Sequence, residues 1–85
     1  MTKGIIYRIA SLKRNFDYVG STVKFANRIN VHRYYLRKIY GENTLNDFDI
    51  LILEEMEYSN KSELREREKE YIRILRPNQN KYLVK

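Results

Sequence analysis

Gly4-Ile5-Ile6-Tyr7-Arg8-Ile9-Ala10, followed by Tyr18-Val19-Gly20, is the stretch whose reading decides the fold. The first segment alternates and is rich in β-branched residues, which predicts a strand. The second is short, carries its own tyrosine, and predicts a hairpin partner for the first across the polar connector 11–17. Working outward, Ser21 or Thr22 is placed to cap a helix that runs through Tyr40 and is ended by Gly41. Glu42 to Asn46 reads as a loop. The continuous apolar run Ile50-Leu51-Ile52-Leu53 within 48–56 predicts a central strand buried on both faces. Ser59 or Ser62 would cap a second helix that stops near Leu75, before Arg76-Pro77. A turn with Asn78 and Asn80, then Tyr82-Leu83-Val84 as an edge segment, would close the chain. The expected fold is α+β, in the order β-β-α-β-α: a small, mainly antiparallel three-stranded sheet flanked by helices.

An 85-residue chain has room for one modest core and predicts a single domain over residues 1–85. Its apolar share of 42 %, with eight Tyr and three Phe, excludes global disorder. The absence of cysteine excludes disulfides and thiolate metal sites. No signal peptide or membrane-length apolar run is visible, so an intracellular protein of cytoplasm or nucleus is expected, neither secreted nor in a membrane. Charge is uneven: residues 1–38 carry a net +8, and 39–85 a net −2. The basic half suits a polyanion, most commonly nucleic acid, although a solvated basic face has the same composition. Lys13, Arg14, Lys24 and Arg33 are the candidate nucleic-acid contacts.

Helical phase then exposes polar residues at inward positions. In the first helix, Phe25, Ile29, His32, Leu36, Ile39 and Tyr40 share one stripe, with Arg28 at its edge one turn before His32. Such a histidine either bonds a buried carbonyl or joins Arg28 in a site. In the second helix, Leu64, Glu68, Tyr71, Ile72 and Leu75 share the inward stripe, while Glu63, Glu66 and Glu70 face solvent. A carboxylate there requires a cation, either a side chain such as Arg28 or a metal ion. Tyr7 and Tyr18 lie on adjacent strands, where residues on one face approach within about 5 Å. Two phenols beside an arginine serve equally as a hydrogen-bonded core layer or as a means to hold and deprotonate a water.

Taken together, these residues resemble the GIY-YIG nuclease family. The first motif stands as Gly4-Ile5-Ile6-Tyr7 and the second as Tyr18-Val19-Gly20. Arg28 with His32 looks like the helix motif, Glu68 takes the metal-ligand position, and Asn80 takes the asparagine of the closing segment. Three departures occur: one extra Ile between Gly4 and Tyr7, Val19 for Ile, and Tyr71 where members often have Trp.

The resemblance implies hydrolysis of DNA phosphodiester bonds with one Mg²⁺ or Mn²⁺ on Glu68. It also implies a catalytic set of Tyr7, Tyr18, Arg28, His32 and Glu68, with Gly20 and Asn80 in support. Tyr7 would act as base, provided its site lowers the phenol pKa. Arg28 would pair with the phosphate, and Tyr18 and His32 would position water or relay the proton. Asn80 would brace Glu68 or the sheet edge. A non-catalytic nucleic-acid-binding module that keeps the fold is the alternative. Lys85 follows closely on the predicted fold, so specificity is expected from the domain's own surface, a partner protein, or an additional domain.

Overall fold

The computed structural model describes residues 2–41 and 46–83. Strand β1 (Thr2–Ser11) turns into β2 (Phe16–Thr22). At the turn Asn15 has φ 51°, a left-handed conformation that asparagine tolerates. Helix α1 (Phe25–Tyr40), strand β3 (Asp49–Tyr58) and helix α2 (Lys61–Leu75) follow, and a 3₁₀ helix (Asn78–Leu83) closes the chain. The three strands form an antiparallel sheet in the order β2-β1-β3, so the expected α+β arrangement is the one observed.

One strand assignment is corrected. The apolar run in β3 lies at the edge, and β1 holds the centre. Leu51 and Ile52 are accordingly about half exposed, at 48 % and 53 %, whereas Ile6, Tyr7 and Ile9 of β1 are fully buried. The register of β1 on β3 slips between Ile6, opposite Glu54, and Tyr7, opposite Ile52, which leaves Leu53 as an extra residue. A bulge of this kind bends a strand and re-aims its side chains, and it falls beside Tyr7.

Strand alternation divides the core into two clusters. Ile6 and Val19 pack with Tyr58 and with Leu64 and Ile72 of α2 on one face. Tyr7 and Ile9 pack with Ile29 and Leu36 of α1 and with Phe48 on the other. Gly4 is needed for the first cluster: a Cβ there would lie 2.8 Å from Leu64 Cδ1 and 3.1 Å from Tyr58 Cε1. Ile39, expected on the buried stripe of α1, is 70 % exposed, because the last turn buries Tyr40 against Phe16 and Phe48 instead.

The helix ends differ from expectation in instructive ways. Lys24 occupies the N-cap of α1 without a side-chain cap bond, and its N–H donates to Thr22 Oγ1 at 3.0 Å. Asn60, not either serine, caps α2: its Oδ1 accepts from the N–H groups of Ser62 and Glu63, while Glu63 reaches back to the Ser59 N–H and hydroxyl. Gly41 ends α1 as expected, at φ 95°.

The tail closes the outer edge of β2 with side-chain amides in place of a strand. Asn80, fully buried, accepts from the Val19 N–H at 2.8 Å and donates to the Val19 carbonyl at 2.9 Å. Asn78 does the same two residues away, accepting from the Asp17 N–H at 2.9 Å and donating to the Asn15 carbonyl at 2.5 Å. Edge backbone groups that would otherwise need another strand are thereby paired. The expected edge segment is thus replaced by the 3₁₀ helix, and Val84 lies outside the described residues. The anticipated loop falls there too for residues 42–45.

Candidate active site

Tyr7 sits on the central strand, directly opposite Gly20 of β2. Its ring fills the space a side chain at position 20 would need: a Cβ there would lie 2.6 Å from Tyr7 Oη and 2.9 Å from Tyr18 Cε2. This close approach explains why glycine occupies position 20. Tyr18 lies on the same sheet face, its ring centroid 6.3 Å from that of Tyr7. From α1, His32 comes down on both rings, with centroids 5.6 Å from Tyr7 and 5.2 Å from Tyr18. Tyr7 Oη and His32 Nε2 are hydrogen-bonded at 2.7 Å.

Electrostatics set the charge state of both partners in that bond. Burial, reinforced by repulsion from the Arg28 guanidinium, pushes His32 below its ordinary 6.5, so the imidazole is neutral at pH 7. Burial pushes Tyr7 up to about 12, against the pull of Arg28, so the phenol is protonated. The Tyr7 O–H donates to Nε2 in the tautomer that carries the imidazole proton on Nδ1. This corrects the expectation that the site lowers the Tyr7 pKa, since desolvation outweighs the neighbouring positive charge. Arg28 itself lies one turn before His32, and its interaction with the two phenols, Tyr7 above all, raises its own pKa.

Glu68 stands on the other face of the sheet. The inward stripe of α2 brings it, half-buried, to Ser21, whose hydroxyl donates to Glu68 Oε1 at 2.5 Å. Among the described residues no lysine or arginine pairs with it, so the ion pair with Arg28 considered from sequence does not form. The described residues contain no cluster of three or more His, Asp or Glu suited to a metal ion. A lone carboxylate without a counter-ion still fits a magnesium-type ion, which keeps several waters and takes substrate phosphate oxygens as ligands.

The two halves meet where β2 gives way to α1. A cleft of about 280 Å³ opens there, lined by both Arg28 and Ser21. Through Arg28 it adjoins the Tyr7–His32 pair, and through Ser21 it adjoins Glu68. Ser21 is the residue that sequence reasoning placed only as a helix cap. Its position directly after Gly20 was the available signal, but a hydroxyl between strand and helix reads first as a cap.

Of the remaining expected residues, Asn80 braces the edge of β2 through Val19, between Tyr18 and Gly20, and makes no hydrogen bond to Glu68. Lys13 and Arg14 lie on the hairpin turn and face Asp47, at 3.8 and 3.3 Å. Lys24 is exposed before α1, and Arg33 borders a shallow depression with Arg37, Asn46 and Phe48. Tyr71, at the tryptophan position, uses its polar tip: its hydroxyl donates to Glu54 at 2.7 Å, beside the Arg67–Glu54 bond at 2.9 Å.

A small antiparallel sheet with two phenols, a histidine and an arginine against it defines a nuclease-type fold. The chain belongs to the GIY-YIG family, whose catalytic domain matches residues 3–82. This is a family of endonucleases that act on DNA. No curated protein and no solved structure matches the chain significantly. None of the described helices is long and apolar enough to cross a membrane.

Proposed function

We propose that this chain is a Mg²⁺- or Mn²⁺-dependent endonuclease that hydrolyses DNA phosphodiester bonds in the cleft between Arg28 and Ser21. The observation that carries the reading is a cleft lined both by Arg28, which interacts with the Tyr7 and Tyr18 phenols, and by Ser21, whose hydroxyl holds the Glu68 carboxylate. When bound at Glu68, the metal would polarise the scissile phosphate and stabilise the leaving 3′ oxygen. Ser21 keeps the Glu68 carboxylate oriented for that ligation. The Arg28 fork pairs with phosphate oxygens and stabilises charge that builds in the transition state.

Tyr7 works as a relay and not as a preformed phenolate. With a pKa of about 12 it holds its proton, so it can accept one from the attacking water only as it passes its own to His32 Nε2, 2.7 Å away. Neutral His32 is ready to take that proton. Tyr18, against the same imidazole, positions the water. Lys24 and Arg33, both exposed, contact the DNA backbone. Lys13 and Arg14 are partly spent on Asp47 in the free protein.

Supercoiled plasmid incubated with Mg²⁺ or Mn²⁺ is the direct test. Nicking or linearisation that EDTA abolishes is expected. Inactivity in both metals contradicts the proposal and favours a DNA-binding module without catalysis.

A further inference from the structure

The same cleft extends past Arg28 onto the first turns of α2, and this extension has a composition the catalytic reading does not use. Lys61 and Arg65 form its far rim, one helical turn apart, and Tyr58, Leu64 and Val23 supply apolar wall. No carboxylate lines it. Six other basic side chains are matched, Lys3 by Glu55, Arg8 by Asp17, Lys13 and Arg14 by Asp47, Arg67 by Glu54 and Glu70, Lys69 by Glu66, whereas Lys24, Arg33, Arg37, Lys38, Arg73 and Arg76 make no salt bridge among the described residues but do not line this cleft. Lys61 and Arg65 have no such partner among the described residues, although α2 carries four glutamates.

We infer that Lys61 and Arg65 form a backbone subsite that holds the sugar-phosphate next to the scissile phosphate on the strand being cut. The inference rests on the nuclease reading and names how that site holds its substrate. Charge complementarity selects the occupant: a cationic rim over an apolar wall matches a phosphodiester attached to a deoxyribose. Such contacts carry no base information, so the subsite strengthens binding equally on any sequence and fixes the strand's path to Arg28. Each cation that neutralises a phosphate adds about 0.9 to the steepness of log K against log salt.

The test is fluorescence anisotropy of the full chain on short duplexes of differing sequence, in EDTA so that nothing is cut, over a salt series. Lys61→Gln and Arg65→Gln keep the aliphatic stems, both side chains are exposed, and thermal unfolding verifies the fold. Each variant is expected to lower the salt slope by about one, and the double variant by about two, equally on every duplex, with Lys13→Ala doing less. An unchanged slope, a loss equal to that of Lys13→Ala, or a loss that depends on sequence overturns the subsite. Wild-type protein that binds DNA with these slopes but never cuts plasmid overturns the nuclease reading and leaves the subsite standing. Wild-type protein that does not bind DNA overturns both.

Discussion

Tyr7 shows how one residue's surroundings decide its chemistry. Full burial against Gly20 raises its pKa to about 12, and in the proposed mechanism the neutral imidazole beside it would take its proton. Tyr7→Phe keeps the ring and removes only the hydroxyl, so cleavage should fall by roughly 100-fold or more while stability changes by about 1 kcal/mol. Unimpaired cleavage by that variant would remove Tyr7 from the reaction. Since His32 is the single histidine of the chain, its titration can be followed by proton NMR without ambiguity. Its midpoint should lie below 6.5. The linked stability has a definite sign: a depressed folded-state pKa favours the fold above the unfolded value. That contribution is lost as pH falls below about 6.5 through the folded-state pKa. A midpoint at or above 6.5 would contradict the buried, Arg28-repelled position. Helical phase made His32 and Glu68 legible in the sequence, because both stand where packing alone would place an aliphatic side chain. The pKa of Tyr7 and the Ser21–Glu68 bond were not legible, since each depends on how residues of separate elements meet.

Among the elements, β2 is the one on which the site depends, and its outer edge is paired by amide side chains. Asn80 satisfies both backbone groups of Val19, between Tyr18 and Gly20. Replacing it with Ala should destabilise the fold by about 2–4 kcal/mol through two orphaned buried groups. Asn80→Asp should cost at least as much, because a carboxylate oxygen would then face the Val19 carbonyl. Thermal unfolding reads both, and a shift no larger than that of a surface substitution would show the edge to be held otherwise. The hairpin and both helices follow from local pattern, and so were readable. The place of β3 was not. A four-residue apolar run fits an interior or an edge strand equally, and β1 took the centre because its Ile6, Tyr7 and Ile9 serve both core clusters. The closing segment misled for a related reason: Tyr82-Leu83-Val84 has strand composition, but Asn78 and Asn80 had already closed the edge it would have joined.

At the scale of the molecule, the sheet separates the tyrosine–histidine group from the Glu68 carboxylate, and a cleft at the end of β2 is lined by Arg28 and Ser21, a partner of each. Tyr7, Tyr18 and His32 occupy the α1 face, Ser21 and Glu68 the α2 face, and Arg28 stands at the cleft between. Folding brings cations from both halves of the unevenly charged sequence to one cleft. Carboxylates match Lys13 and Arg14 of the basic half, while Arg28 of that half and Lys61 and Arg65 of the acidic half line the cleft without a salt bridge among the described residues. Position along the chain therefore does not by itself show which cations share the cleft. The central claim is that Glu68 holds the metal for DNA cleavage. The measurement that tests it most directly is plasmid cleavage in Mn²⁺ by Glu68→Gln beside wild type, with circular dichroism of both. An active wild type and a folded variant slower by roughly 100-fold or more are expected; a folded variant that cleaves at the wild-type rate would contradict metal ligation by Glu68.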